Sequence, residues 1–338
     1  MSIVFIQLNE INFEIVQRYI DMGFKLDYLK HIYSNSIYTE EFEEYNNLEP
    51  WIQWVSCFLG KPFKEHNIFR LGDGTKLNNE NIYTDIYRKL NKSCGAICPM
   101  NISSKGVNFD FFIPDPWSEE KASGSLGINL ITDAIKKEVN NNTSKKNNIT
   151  SKIKLLIGLI INLNPYELFR LFKFYRRINK LSFRKALFLD LTLVLLHQKL
   201  IKRKKTQFSS IFLNAGAHIQ HHYFLNSNVI NKKSNPVWYL KSDIDPLLEA
   251  LKLYDNLIFS YKKMGYKIIL MTGLQQIPTD KAEFYYRLND HSTFIDFLGI
   301  EYDKILPRMT RDFEILFSSN YKRDRGQGIL SNIIDETG

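Results

Sequence analysis

The sequence predicts an α/β protein with a mostly parallel central sheet and helices on both faces. Three observations predict it. Short apolar runs suited to buried strands recur at residues 3–8, 94–99, 209–213 and 267–271. Stretches with apolar residues at helical spacing, such as Ile15, Tyr19 and Met22, separate them. Polar residues also gather directly after the runs, where the strand ends of a parallel sheet open onto a site.

Taken in order, residues 3–8 form the first strand, Asn9, Glu10 and Asn12 a polar turn, and the segment from Ile15 onward a helix. The second strand follows at 94–99. Residues 139–151 (VNNNTSKKNNITS) are rich in Asn, Ser, Thr and Lys and read as a surface linker. Residues 153–200 read as two or three basic amphipathic helices, interrupted near Asn164 and Pro165, before the sheet resumes at 209. The expected organisation is one α/β domain from 1–138 and 206–338, with a loop and basic helical insertion at 139–205. No repeat of fixed period is present.

The chain has 338 residues, 44% hydrophobic and 24% charged, enough for one large domain or two small ones. Its net charge of +9 is local: Arg170, Lys173, Arg176, Arg177 and Arg184 all fall in the insertion. A uniformly basic, nucleic-acid-binding fold is therefore not expected. The insertion suits either a helical cap with a solvated basic face or peripheral contact with an anionic membrane. Three cysteines, Cys57, Cys94 and Cys98, are too few for a disulfide framework and point to a reducing compartment. No secretory signal is visible, and the longest apolar runs fall short of the roughly 20 residues of a spanning helix. The expected location is the cytoplasm, with the inner face of the membrane as a peripheral alternative.

The densest polar group is the stretch from Asn214 to Tyr223, which holds His218, His221 and His222 after a buried-type strand. Histidine ligates metals, shuttles protons and donates to phosphate oxygens; a histidine-rich helix cap is the structural alternative. Glu10 stands at a strand-end turn beside Asn9, suited to metal binding, to base chemistry or to a first-turn helix acid. Glu49, Trp51 and Gln53 precede a Gly60-Lys61-Pro62 turn; the tryptophans can pack or stack on a sugar or base. Asp115, Gln275, His291 and Arg308 complete the candidate substrate-binding groups, with arginine suited to clamping an anion. There is no P-loop, G-x-G-x-x-G, G-x-S-x-G or H-E-x-x-H motif, which disfavours P-loop kinases, Rossmann dehydrogenases and α/β-hydrolases.

The blocks resemble the alkaline phosphatase superfamily, in its type I phosphodiesterase and nucleotide pyrophosphatase-like branch. Glu10 in IVFIQLNEIN matches that family's first acidic metal ligand, and Glu49-Pro50-Trp51 leads to Gly60-Lys61-Pro62 and His66-Asn67-Ile68. Residues 98–100 and 111–116 resemble the next strand and loop, and 217–222 resembles the Asp-x-x-x-His motif with His221 on the histidine. Residues 268–274 resemble the strand that normally ends in Ser-Asp-His-Gly. Ala217 stands for the motif aspartate, Thr272 and Gly273 fall where the Asp-His pair belongs, and Leu48 and Glu49 occupy the nucleophile region.

The resemblance implies the family fold with altered chemistry: one divalent ion (Zn, Mn or Mg) on Glu10 and His221, or none. The first function it implies is hydrolysis or transfer on a phosphate-containing substrate, with Glu10, Glu49, His218 and His221 catalytic. Asn9, Trp51, Gln53, Asp115, Asn214, His222, Gln275, His291 and Arg308 would then bind substrate. A sugar transferase with a nucleotide-sugar or lipid-linked donor in surface glycan synthesis is the second reading, and a non-catalytic binding protein the third.

Overall fold

The computed structural model describes residues 2–39, 47–77, 80–140, 149–178, 181–230, 235–278, 288–307 and 313–334. Strands β1 (Ile3–Leu8), β2 (Cys94–Ile97), β3 (Phe111–Ile113), β4 (Phe208–Leu213) and β5 (Lys267–Thr272) form one all-parallel sheet in the order β3-β2-β4-β1-β5. The central strands β1, β2 and β4 are near-continuous apolar runs because both of their faces are covered. Leu8 stands opposite Leu213 on one side and Thr272 on the other. The carboxyl ends of β4, β1 and β5 are therefore level, and Asn9, Asn214 and Gly273 leave the sheet side by side.

Helices cover both faces, as the register shows through the two-residue alternation of a strand. Phe5 packs on Phe58 of α3 (Pro50–Leu59), and Phe212 meets Trp54 of the same helix edge-on at 5.5 Å. On that face too, Tyr83 of α5 (Ile82–Arg88) reaches the Ser210 hydroxyl at 2.5 Å. Phe111, in register with Gly95 and Ser209, faces the other way. It packs on His197 of α9 (Arg184–Lys204), whose Nδ1 lies 2.7 Å from the Tyr261 hydroxyl of α11 (Pro246–Lys263). Burial holds the His197 pKa down to about 3, so this imidazole is a neutral core group. Gly95 is required beneath it, since a Cβ there would lie 2.4 Å from the Phe111 ring.

The chain forms two compact units, residues 1–132 with 156–282, and residues 133–155 with 283–338. The expected insertion does contain three helices, α7 (Ile149–Asn162), α8 (Pro165–Ile178) and α9, with the break at Asn164 and Pro165. Within it, α9 belongs to the core of the first unit and packs on β2, β4 and α11. Leu191 to Leu196 are buried in succession, so this segment is apolar all round rather than on one stripe, the pattern of an enclosed helix. The second unit holds the antiparallel pair β6 (Lys304–Pro307) and β7 (Phe313–Leu316) with α12 (His291–Phe297) and α13 (Asn320–Leu330). Among the described residues no helix is long and apolar enough to cross a membrane.

Candidate functional site

The site grows from the turn that ends β1. Glu10 takes a left-handed backbone conformation, φ 56°, a region that disfavours side chains. Two side-chain amides hold the turn in place. Gln220 of α10 (Ala215–Tyr223) donates to the Glu10 carbonyl at 2.6 Å and accepts from the Asn12 amide at 3.3 Å. Asn12 caps α1 (Phe13–Asp21) by accepting from the Glu14 and Ile15 amides. It also donates to the Gln276 carbonyl at 2.9 Å. The turn after β1 is thereby tied to α1, to α10 and to the loop after β5.

Asn9 is the second tie. Its buried carboxamide accepts from Trp54 Nε1 at 2.8 Å and donates to Asn214 Oδ1 at 2.8 Å. Trp54 in turn covers Gly273, where a Cβ would stand 3.2 Å from the indole nitrogen, so the loop after β5 approaches as closely as glycine permits. Beneath Asn214, the buried Asp190 of α9 accepts from the Ala215 amide at 3.0 Å and from the Tyr254 hydroxyl at 2.7 Å. A carboxylate at this helix start complements the amides of its first turn. Burial nonetheless raises the Asp190 pKa to about 7.

On this frame Glu10, His221 and Gln276 converge. Glu10 Oε2 lies 3.0 Å from His221 Nε2 and also accepts from the Gln276 amide, whose nitrogen is 2.6 Å from the same imidazole nitrogen. The Glu10 side chain is only 7% exposed while that of His221 is 59% exposed, so a buried carboxylate orients a solvent-facing ring. Among the described residues Nδ1 of His221 has no bonding partner. Glu49 precedes α3, where its side chain makes no cap hydrogen bond. Partial burial, then the charge of Glu10, push its carboxyl pKa up, while His221 draws it down. Two acids and one histidine therefore share this site in unlike environments, the arrangement that separates acid from base roles.

On α10 His218 lies one turn before both His221 and His222. The rings of His218 and His222, four residues apart, lie tilted at 52° with centroids 4.6 Å apart. Desolvation of the ring, then the charges of His222 and His221, lowers the His218 pKa to about 4, although the residue is exposed by surface area. His222 is lowered by burial and by His221, and its Nδ1 lies 3.4 Å from the Tyr239 hydroxyl. Both rings are thus neutral N–H donors near pH 7.

The remaining candidates are placed as follows. Trp51 Nε1 donates to the Phe69 carbonyl at 3.0 Å, and Gln53 is buried and donates to the Asn47 carbonyl. Asp115 is fully buried and accepts from the amides of Asn101, Trp117 and Ser118, so it organises its own loop. Gln275 is exposed beside the cluster; it is Gln276 that enters it. His291 begins α12 in the second unit, where it packs on Phe313 at 4.6 Å. Arg308 lies outside the described residues. Gln220, Gln276 and Asp190 escaped the sequence reading, since amides and a mid-helix acid carry no motif.

The resemblance raised one divalent ion on Glu10 and His221. An ion on these two groups would have to break the contact in which Glu10 Oε2 and His221 Nε2 bond each other. Among the described residues no three of His, Cys, Asp and Glu gather to hold a metal, as a zinc site requires. Comparison with protein families, with curated proteins and with solved structures finds no match to this chain.

Proposed function

We propose that the chain is an enzyme acting on a phosphate-containing substrate, by phosphoester hydrolysis or transfer, with the Glu10–His221 pair as its proton-handling centre. The observation that carries this reading is the 3.0 Å contact between the buried Glu10 carboxylate and the exposed His221 ring at the open end of a parallel sheet.

The chemistry follows from these groups. With the Gln276 amide swung off His221 Nε2, Glu10 holds the Nε2–H of that ring and steadies the imidazolium that forms. His221 Nδ1 takes the proton of water or of an acceptor hydroxyl as that oxygen attacks phosphorus. The bond from phosphorus to the leaving oxygen breaks, and the raised-pKa carboxyl of Glu49 returns a proton to that oxygen. His218 and His222, kept neutral, donate N–H groups to the phosphoryl oxygens. Resemblance to the alkaline phosphatase superfamily at Glu10 and His221 supports the same substrate class, without a metal step.

Transfer to a sugar hydroxyl is the second reading, favoured by Trp238, which is 74% exposed and stands edge-on to Tyr239 beside His222. One experiment tests both readings. Phosphomonoesters, phosphodiesters and nucleotide-sugars, each with and without a sugar acceptor, are incubated with the protein and followed by ³¹P NMR. Turnover of at least one class, lost in Glu10→Gln and His221→Ala with folding intact, is expected. Acceptor-dependent turnover assigns transfer, and inertness toward every class contradicts an enzyme of this kind.

A further inference from the structure

Far along the chain from these residues, α7 and α8 carry outward faces that the fold leaves uncovered. At 100° per residue, Leu156, Ile157, Ile160 and Ile161 occupy one side of α7, and each is between 45% and 57% exposed. The opposite side anchors the helix. Leu159 is buried, and a Cβ on Gly158 would stand 2.6 Å from Ile131 and 2.7 Å from the Gly127 carbonyl of α6 (Leu126–Asn140). The aliphatic stripe thus lies off the packed side of α7, with Ile161 at its edge bordering Gly127 of α6. Four adjacent exposed aliphatic side chains on one helix mark an interaction surface.

Across the Asn164–Pro165 break, α8 repeats the division with a different composition. Leu171 and Ile178 are buried, and Glu167 turns inward to Lys199 of α9 at 3.5 Å. The outward side alternates Tyr166, Phe169 and Phe172 with Arg170, Lys173 and Arg176, all exposed. Phe169 and Phe172 are 62% and 59% exposed, and with Lys173, Arg176, Arg177 and Arg184 they line an open cavity of about 550 Å³. Arg177 and Arg184 are already engaged by Glu249, at 3.0 and 2.9 Å, which fixes the cavity wall.

We infer that these outward faces of α7 and α8 dock the protein on an anionic lipid bilayer, with the aliphatic and aromatic side chains in the interface and the cations on lipid phosphates. Aromatic rings interleaved with Arg and Lys suit the boundary where acyl chains meet charged headgroups. A second copy of the chain suits the face poorly, because a twofold contact would set the same cations against one another. The inference does not depend on the chemistry proposed for Glu10 and His221.

Co-sedimentation with vesicles tests it, comparing phosphatidylcholine alone with a mixture containing about one third phosphatidylglycerol. Wild type is expected to bind the anionic vesicles about tenfold or more tightly than the neutral ones. Phe169→Ser/Phe172→Ser and Lys173→Glu/Arg176→Glu are each expected to weaken that binding about tenfold, with unchanged circular dichroism. Both pairs are exposed, and Lys173→Ala/Arg176→Ala replaces the charge reversal if its spectrum changes. Wild type that stays in the supernatant with both vesicle types overturns the inference, as does equal binding to both. Self-association without vesicles, abolished by Phe169→Ser/Phe172→Ser in a protein that ignores lipid, assigns the face to a second copy instead.

Discussion

Glu10 Oε2 and His221 Nε2 lie 3.0 Å apart, joining the turn after β1 to the second turn of α10. The carboxylate is buried and the ring is not, so the pair is anchored at its acidic end and open at its basic end. The exposed ring is open to an incoming molecule, as the proton exchange proposed for the pair requires.

The turn that presents Glu10 is conformationally costly. At φ 56°, glycine is at ease and alanine is not. Glu10→Gly and Glu10→Ala remove the same carboxylate, so their difference isolates the backbone. Glu10→Gly is expected to be the more stable by about 1 kcal/mol in urea denaturation. Equal stability would place the strain elsewhere.

Asp190 sets a pH dependence. Burial raises its folded pKa to about 7 from an ordinary value of 3.8, so the folded state holds a proton that the unfolded state has released. Its contribution to stability is therefore complete below the ordinary value and is lost as pH rises toward 7. Asp190→Asn lacks this titration. Relative to wild type, the variant is expected to gain roughly 2 kcal/mol as pH rises from about 5 to about 7.5, followed by chemical denaturation. Referring each pH to wild type cancels the opposing histidines. A difference that is flat with pH contradicts a buried, titrating Asp190.

In the proposed reaction Glu49 is the proton donor. Its raised pKa keeps the acid form present at higher pH than an ordinary carboxyl would, and activity falls as pH passes that value. Glu49→Gln is expected to abolish this alkaline limb. It slows an alkyl ester, whose leaving oxygen needs the proton, by about a hundredfold or more. A nitrophenyl ester, whose leaving group does not, is slowed far less. Equal slowing of both esters removes Glu49 from that role.

Much of the frame was legible in the sequence. The four strand runs centred on Phe5, Ala96, Ile211 and Ile269 all lie in the parallel sheet, because apolar runs of that length between helices have few other places to go. β3 was read only as a loop with strand character, and it is only three residues long. Glu10, Asn9 and Asn214 were found because they follow strands directly. Trp51 and Trp54 could not be told apart by type: Trp54 is fully buried on Asn9, while Trp51 bonds a loop carbonyl. Gln276 and Gln220 were invisible because a glutamine's partner is set by tertiary approach, not by spacing. The same is true of Asp190, a charged residue in the middle of an apolar helix, whose role required α10 to start directly over it.

Metal dependence follows from the contact between Glu10 and His221. Since these two donor atoms satisfy each other, dialysis against a chelator is expected to leave turnover essentially intact. Loss of activity that zinc, manganese or magnesium restores contradicts that arrangement.

The most direct test of the central claim is a double-mutant cycle on turnover of the substrate class found by ³¹P NMR, using Glu10→Gln, His221→Ala and the double variant. If the two residues act as one proton-handling unit, each single change costs about a hundredfold or more, and the double variant is no slower than the slower single. Losses that multiply would show that Glu10 and His221 act independently. Singles at wild-type rate would remove the pair from the reaction.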